Sequence, residues 1–227
     1  MNNQKLIETF EASIEELNNT FLKNDNNFFF TEKELHSYFY HLCLLNNFIY
    51  KNFNLVHTEY PTPFKCRNIK NEPYIEMTEI ESKDLRAHID LVLLNPKFID
   101  FSLQQNKVES ENIIMGLGGI LFSKYITTFY ELYTEFGKKY NESILLYSLE
   151  FKYLRHTYAG EKYPAIEIKR DIQKMKLLEE FKIYKNIPFS QVNKSLVFIG
   201  NRISANTISS INKIKNENNI YCEIFRK

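Results

Sequence analysis

Two compact apolar runs that each hold charge inside an otherwise uncharged stretch, with helix-period stripes before and after them, predict an α/β fold with a central mixed sheet flanked by helices. The runs are His88–Leu94 and Ile144–Leu154. Their length and the turn residues around them suit buried central strands. The chain has 227 residues, 44% of them hydrophobic and 25% charged, which suits a single domain over 1–227 with one elaboration.

Along the chain, Leu6, Phe10, Ile14 and Leu17 recur at helical spacing, and the polar stretch Asn18–Asn27 then interrupts the stripe. A second helix starts at Thr31, because Thr31-Glu32-Lys33-Glu34 is a Thr-x-x-Glu capping box. Leu35, Phe39 and Leu42 form its apolar face, and it runs to about Leu45. Leu55–Tyr60 reads as a strand that Pro61 and Pro63 stop by removing backbone donors.

The run from His88 to Leu94 is bounded by Asn95-Pro96 and carries one carboxylate, Asp90. Ser110–Tyr140 places Ile113, Leu117, Leu121, Tyr125, Phe129 and Leu132 on a stripe, and Gly116, Gly118 and Gly119 bend its first part. This predicts a helical insertion at 110–140. In the second apolar run Glu150 and Lys152 are the only charged residues.

Pro164 opens a further helix with Ile168, Ile172, Met175 and Leu178 on its apolar face. Ser195–Gly200 reads as a strand, Ala205–Asn218 as a helix with Ile208, Ile211 and Ile214 inward, and Ile220–Phe225 as a last strand.

With 29 Lys+Arg against 28 Asp+Glu the net charge is +1, so any polyanion surface must be a local basic patch. Cys43, Cys66 and Cys222 lack the paired spacing of a zinc site or a disulfide framework and read as reduced, structural residues. The first residues carry no secretory pattern and no apolar run nears membrane-spanning length, so a cytoplasmic protein without a membrane partner is expected.

An ionised carboxylate in a buried strand costs much desolvation energy unless it is paired or binds a metal. Asp90 and Glu150 both raise that question. Strand side chains alternate, so Glu150 and Lys152 project to one side about 7 Å apart, with Leu149, Phe151 and Tyr153 on the other. A neighbouring strand can set Asp90 beside them. Two carboxylates and an ammonium on one face suit phosphodiester hydrolysis, where hard oxygen ligands hold Mg²⁺ or Mn²⁺ and a positive group steadies the attacking water. The competing structural reading is a buried ion pair of Lys152 with Glu150 or Asp90. Glu167-Ile168-Lys169 repeats the Glu-x-Lys spacing, but in a helix those side chains diverge.

The five histidines form no zinc-hydrolase pattern. His88 shares the face of Asp90, where it packs or supports the site. Ser148 lacks a nucleophile elbow, and Gly116-Leu117-Gly118-Gly119 lacks the Lys and Ser/Thr of a phosphate loop.

Asp90 within Ile89-Asp90-Leu91-Val92, followed by Glu150-Phe151-Lys152, resembles the signature of the PD-(D/E)XK (restriction-endonuclease-like) nuclease superfamily. The sequence departs from it in having Ile89 where the signature has proline, and in the long separation of Asp90 from Glu150, 60 positions along the chain. The resemblance implies a restriction-endonuclease-like core and a metal-dependent DNA endonuclease of restriction or defence type, with Asp90, Glu150 and Lys152 catalytic. A non-catalytic nucleic-acid or protein-binding member of the same fold is the alternative. The superfamily often adds a glutamate from the first core helix, for which Glu34 is the candidate, although the capping box already explains that residue. Glu59 is a further candidate metal ligand, and Lys169, Arg170 and Lys174 form a basic helix face suited to a phosphate backbone or simply to solvent. Members often act as homodimers, and the 110–140 insertion would supply that contact.

Overall fold

The computed structural model describes residues 2–23, 31–61, 64–68, 75–79, 88–105, 131–154, 170–172, 174–175, 182–184, 187–188, 194–200, 205–218 and 221–226. They form a mixed α/β architecture of open sheets. Helix α1 spans Asn3–Lys23 and α2 spans Glu32–Leu45. The Asn18-Asn19-Thr20 stretch does not break α1, because Phe21 continues the stripe one turn beyond Leu17 and is buried. Thr31 caps α2: its hydroxyl accepts from the Glu34 N–H while the Glu34 carboxylate accepts from the Thr31 N–H.

Short strands β1 (Ile49–Tyr50) and β2 (Phe53–Asn54) make a hairpin whose turn residues Lys51 and Asn52 both have positive φ, as a tight two-residue turn requires. Next come β3 (Val56–Pro61), β4 (Phe64–Asn68), β5 (Ile75–Glu79) and β6 (His88–Leu94). The antiparallel β4/β5 pair was not foreseen in its polar sequence. Nor was α3 (Pro96–Gln104), although the boundary Asn95-Pro96 holds its signal: Asn95 caps the helix and Pro96 occupies its first turn.

Helix α4 comprises residues 131–140, where Leu132 and Phe136 are buried and Phe136 meets Phe98 and Phe101 of α3 edge-on. The rest of the expected insertion, residues 110–130, lies outside the described residues, and with it most of the segment assigned to a dimer contact. Strand β7 spans Leu145–Leu154, and helix α5 comprises residues 170–172 and 174–175; its expected start at Pro164 lies outside the described residues. The chain continues with β8 (Lys182–Tyr184), β9 (Ile187–Pro188), β10 (Lys194–Gly200), α6 (Ala205–Asn218) and β11 (Tyr221–Arg226).

Five strands make the main sheet in the order β11-β10-β7-β6-β3. Both runs singled out in the sequence lie inside it, side by side. β6 is antiparallel to β3 and β7, whereas β7, β10 and β11 are mutually parallel. One apolar cluster joins α1, α2 and this sheet, with Phe10 against Phe39 and Tyr147, and Phe39 against Phe151. Burial of four large aromatic side chains fixes α1 and α2 on the Phe151 face of β7. Cys43 belongs to that cluster, and burial pushes its thiol up, so it stays protonated. Among the described residues, no helix is long and apolar enough to cross a membrane.

Candidate functional site

The β6/β7 ladder ends at Leu91↔Leu149, although both strands continue past that point. Extending the register by one step would set Asp90 opposite Glu150. Instead the strands fork. The Phe151 N–H, which a ladder partner would otherwise take, donates to Asp90 Oδ2 at 2.8 Å, and the Tyr153 N–H donates to Glu32 Oε2 at 3.1 Å. Backbone donors left without a strand partner need another acceptor, and two carboxylates supply it.

Helix α2 brings Glu32 to the fork, and the i,i+4 spacing brings His36 with it. His36 stacks against the Phe151 ring at 5.1 Å and its Nε2 lies 3.5 Å from Asp90 Oδ2. One ligand atom from each of Glu32, His36 and Asp90 falls within 4.8 Å of the others, close enough to share a metal ion.

On the opposite face of β7, helix α5 covers Glu150 and Lys152. The Lys152 ammonium is 3.1 Å from Asp171 Oδ2 and 3.8 Å from Glu32 Oε1. Lys174 Nζ lies 2.6 Å from Glu150 Oε1 and 3.9 Å from Asp171 Oδ1, and donates to the His88 carbonyl at 2.8 Å. Glu150 is 1% exposed, whereas the Glu32 side chain is 37% exposed, so the centre opens to solvent on the α2 side.

Burial first, and the nearby negative charge of Asp90 next, push the Glu150 carboxyl well above the usual range. Asp90 goes the other way. Its burial is outweighed by the His36 imidazole beside it, the Lys174 charge and the Phe151 N–H, which hold its carboxyl below the usual value. Burial raises Asp171 despite both lysines. Lys152 loses solvation too, yet Asp171 and Glu32 keep its ammonium protonated more firmly than usual.

The structure therefore brings Asp90, Glu150 and Lys152 together, within mutual electrostatic reach. Glu34 does not join them: it is exposed and holds the capping box, and Glu32, two residues earlier, reaches the fork instead. Glu59 is exposed at φ 50° and, by the β3/β6 register, stands opposite Asp90, but it is not in the metal-competent group. Lys174 corrects the reading of a basic outer face, since it is directed inward at Glu150 with its side chain 11% exposed. Arg170 is half-buried, and Lys169 and the competing Glu167 lie outside the described residues.

Glu32, His36 and Asp171 were not singled out in the sequence. A signal existed for each: Glu32, Leu35, His36 and Phe39 share one stripe of α2, and Asp171 shares the stripe of Ile168, Ile172 and Met175. Replacing Glu34 by alanine is expected to lower the melting temperature by a few degrees through loss of the cap, with Mn²⁺ affinity unchanged, as parallel thermal and calorimetric titrations would record. Compared with family models, characterised proteins and solved structures, the chain has no match.

Proposed function

We propose that this chain is a metal-dependent nuclease of the restriction-endonuclease-like type that hydrolyses phosphodiester bonds in DNA. The observation that carries this reading is the meeting of Asp90, Glu150 and Lys152 at a fork in the central sheet, although the two carboxylates lie 60 positions apart along the chain. Along the sequence α2, β3, β6, β7, α5 and β10 come in an order that supports the resemblance, with further elements between them.

The residues present suit a hard divalent cation. Glu32, His36 and Asp90 offer oxygen and imidazole ligands, and Glu150 gains from any positive charge beside it. Asp90, with Glu32 and His36, would hold Mg²⁺ or Mn²⁺, and Glu150 stands next to them paired with Lys174. When bound, the ion supplies an acidified water and neutralises phosphate charge.

The chain's own groups do the remainder. Lys152, fixed by Asp171 and Glu32, presents a permanent ammonium at the fork. Because its carboxylate neighbours keep it protonated, it acts by stabilising developing negative charge and not by removing a proton. Asp90, anchored by the Phe151 N–H, is oriented before any substrate arrives. The partial opening beside Glu32 gives a phosphate access.

Purified protein incubated with plasmid, single-stranded DNA and RNA is expected to cleave DNA with Mg²⁺ or Mn²⁺, to bind it without turnover in Ca²⁺, and to be inert in EDTA. Ca²⁺ accepts the same oxygens at longer, looser distances, so binding survives while the water is poorly placed. The internal pairing of Lys174 with Glu150 favours a second reading, a nucleic-acid or protein-binding member of the same fold whose charges satisfy one another. A gel shift with no cleavage under any metal would select it.

A further inference from the structure

One cation position in the centre is already filled by the chain itself. The Lys174 ammonium has Glu150 Oε1 at 2.6 Å, the His88 carbonyl oxygen at 2.8 Å and Asp171 Oδ1 at 3.9 Å around it. Two carboxylates and a backbone carbonyl about a buried positive charge are the donor set of a hard divalent ion. The Glu32, His36 and Asp90 group forms a second position in the β6/β7 fork, where Asp90 and Glu32 accept from the Phe151 and Tyr153 N–H groups, and Asp90 feels the Lys174 charge from there.

We propose that Lys174 makes this a one-ion centre: its ammonium holds the position between Glu150, Asp171 and the His88 carbonyl, and leaves the Glu32–His36–Asp90 group to a single divalent cation. The inference rests on the metal-dependent reading above.

Charge balance supports it. Glu32, Asp90, Glu150 and Asp171 carry at most four negative charges, and Lys152 and Lys174 return two positive ones. One divalent ion already matches that maximum, and a second would leave a positive excess of at least two in a mostly buried site. Displacing Lys174 would also strand its ammonium inside the protein, at the cost of an unpaired buried charge.

The test is Mn²⁺ titration by calorimetry on the wild type, Lys174→Met and Lys174→Ala. The wild type is expected to bind one Mn²⁺ per chain. Lys174→Met keeps the packed stem and removes the charge, so affinity should rise by roughly tenfold or more. Lys174→Ala also vacates space, and two ions per chain are expected. If either variant is unstable alone, Mn²⁺ should restore its melting temperature, because a ligand of the folded state stabilises it. Two ions per wild-type chain, unchanged or weaker affinity in both variants, or variants that Mn²⁺ does not stabilise would overturn the proposal. A wild type that binds no Mn²⁺ would remove the metal-dependent reading and this inference with it. A wild type that binds one ion yet cleaves no nucleic acid, with the variants behaving as described, would keep the inference and remove the nuclease reading alone.

Discussion

Replacing Asp90 by asparagine or alanine is expected to abolish cleavage, a loss of at least about 10³-fold given that one electrostatic donor alone is worth about 10²–10³. Mn²⁺ affinity should fall in both variants, by more than the roughly 10–100-fold that outer partners of a metal site carry. The two variants then part. Asparagine still offers an oxygen to the Phe151 N–H, whereas alanine removes that acceptor and is expected to cost about 1–3 kcal/mol of stability. The wild-type carboxyl is held below its usual range, so its contribution to stability is full above the unfolded value and is lost as pH falls through the folded value. Asp90→Asn lacks that dependence. Urea unfolding from neutral pH down into the carboxylate range checks it, and Mn²⁺ affinity equal to wild type in both variants would exclude Asp90 as a ligand.

Replacing Lys152 by methionine is expected to lower kcat by about 10²–10³-fold while Mn²⁺ and DNA affinities stay within a few-fold of wild type, because an ammonium that acts on developing charge contributes in the transition state. Methionine retains the stem that packs beside Asp171. Single-turnover kinetics with separate binding titrations measure the split. A loss confined to DNA affinity, with normal turnover, would make Lys152 a phosphate-binding residue and not a catalytic one.

The strands bearing Asp90 and Glu150 were legible because each is a compact apolar run bounded by turn residues, and the lone carboxylate or Glu-x-Lys pair that contradicts the run marks where to look for a site. The cap at Thr31 was equally legible, since its two reciprocal bonds are local. That success misdirected the choice of helix glutamate. Glu34 is spent on the cap, and the helical phase set by Leu35 and Phe39 turns Glu32 and His36 toward the sheet. Phase was readable, but which neighbour the stripe would meet depended on the fork between β6 and β7, a long-range feature without a local pattern. Lys174 was misjudged for a related reason. A helix lysine reads as solvated until a buried carboxylate from a strand is found opposite it.

The fork gives the sheet an edge in its interior. Past Leu149, strand β7 presents N–H groups that no neighbouring strand receives, the same template that lets outer strands recruit a foreign chain or slip in register. Asp90 and Glu32 seal that template with carboxylates, which also repel an incoming β-strand by charge and bulk. The groups suited to catalysis thus double as guards against misassembly. Losing both carboxylates together is expected to expose those N–H groups and promote self-association, which light scattering of a Glu32→Ala, Asp90→Ala variant would record.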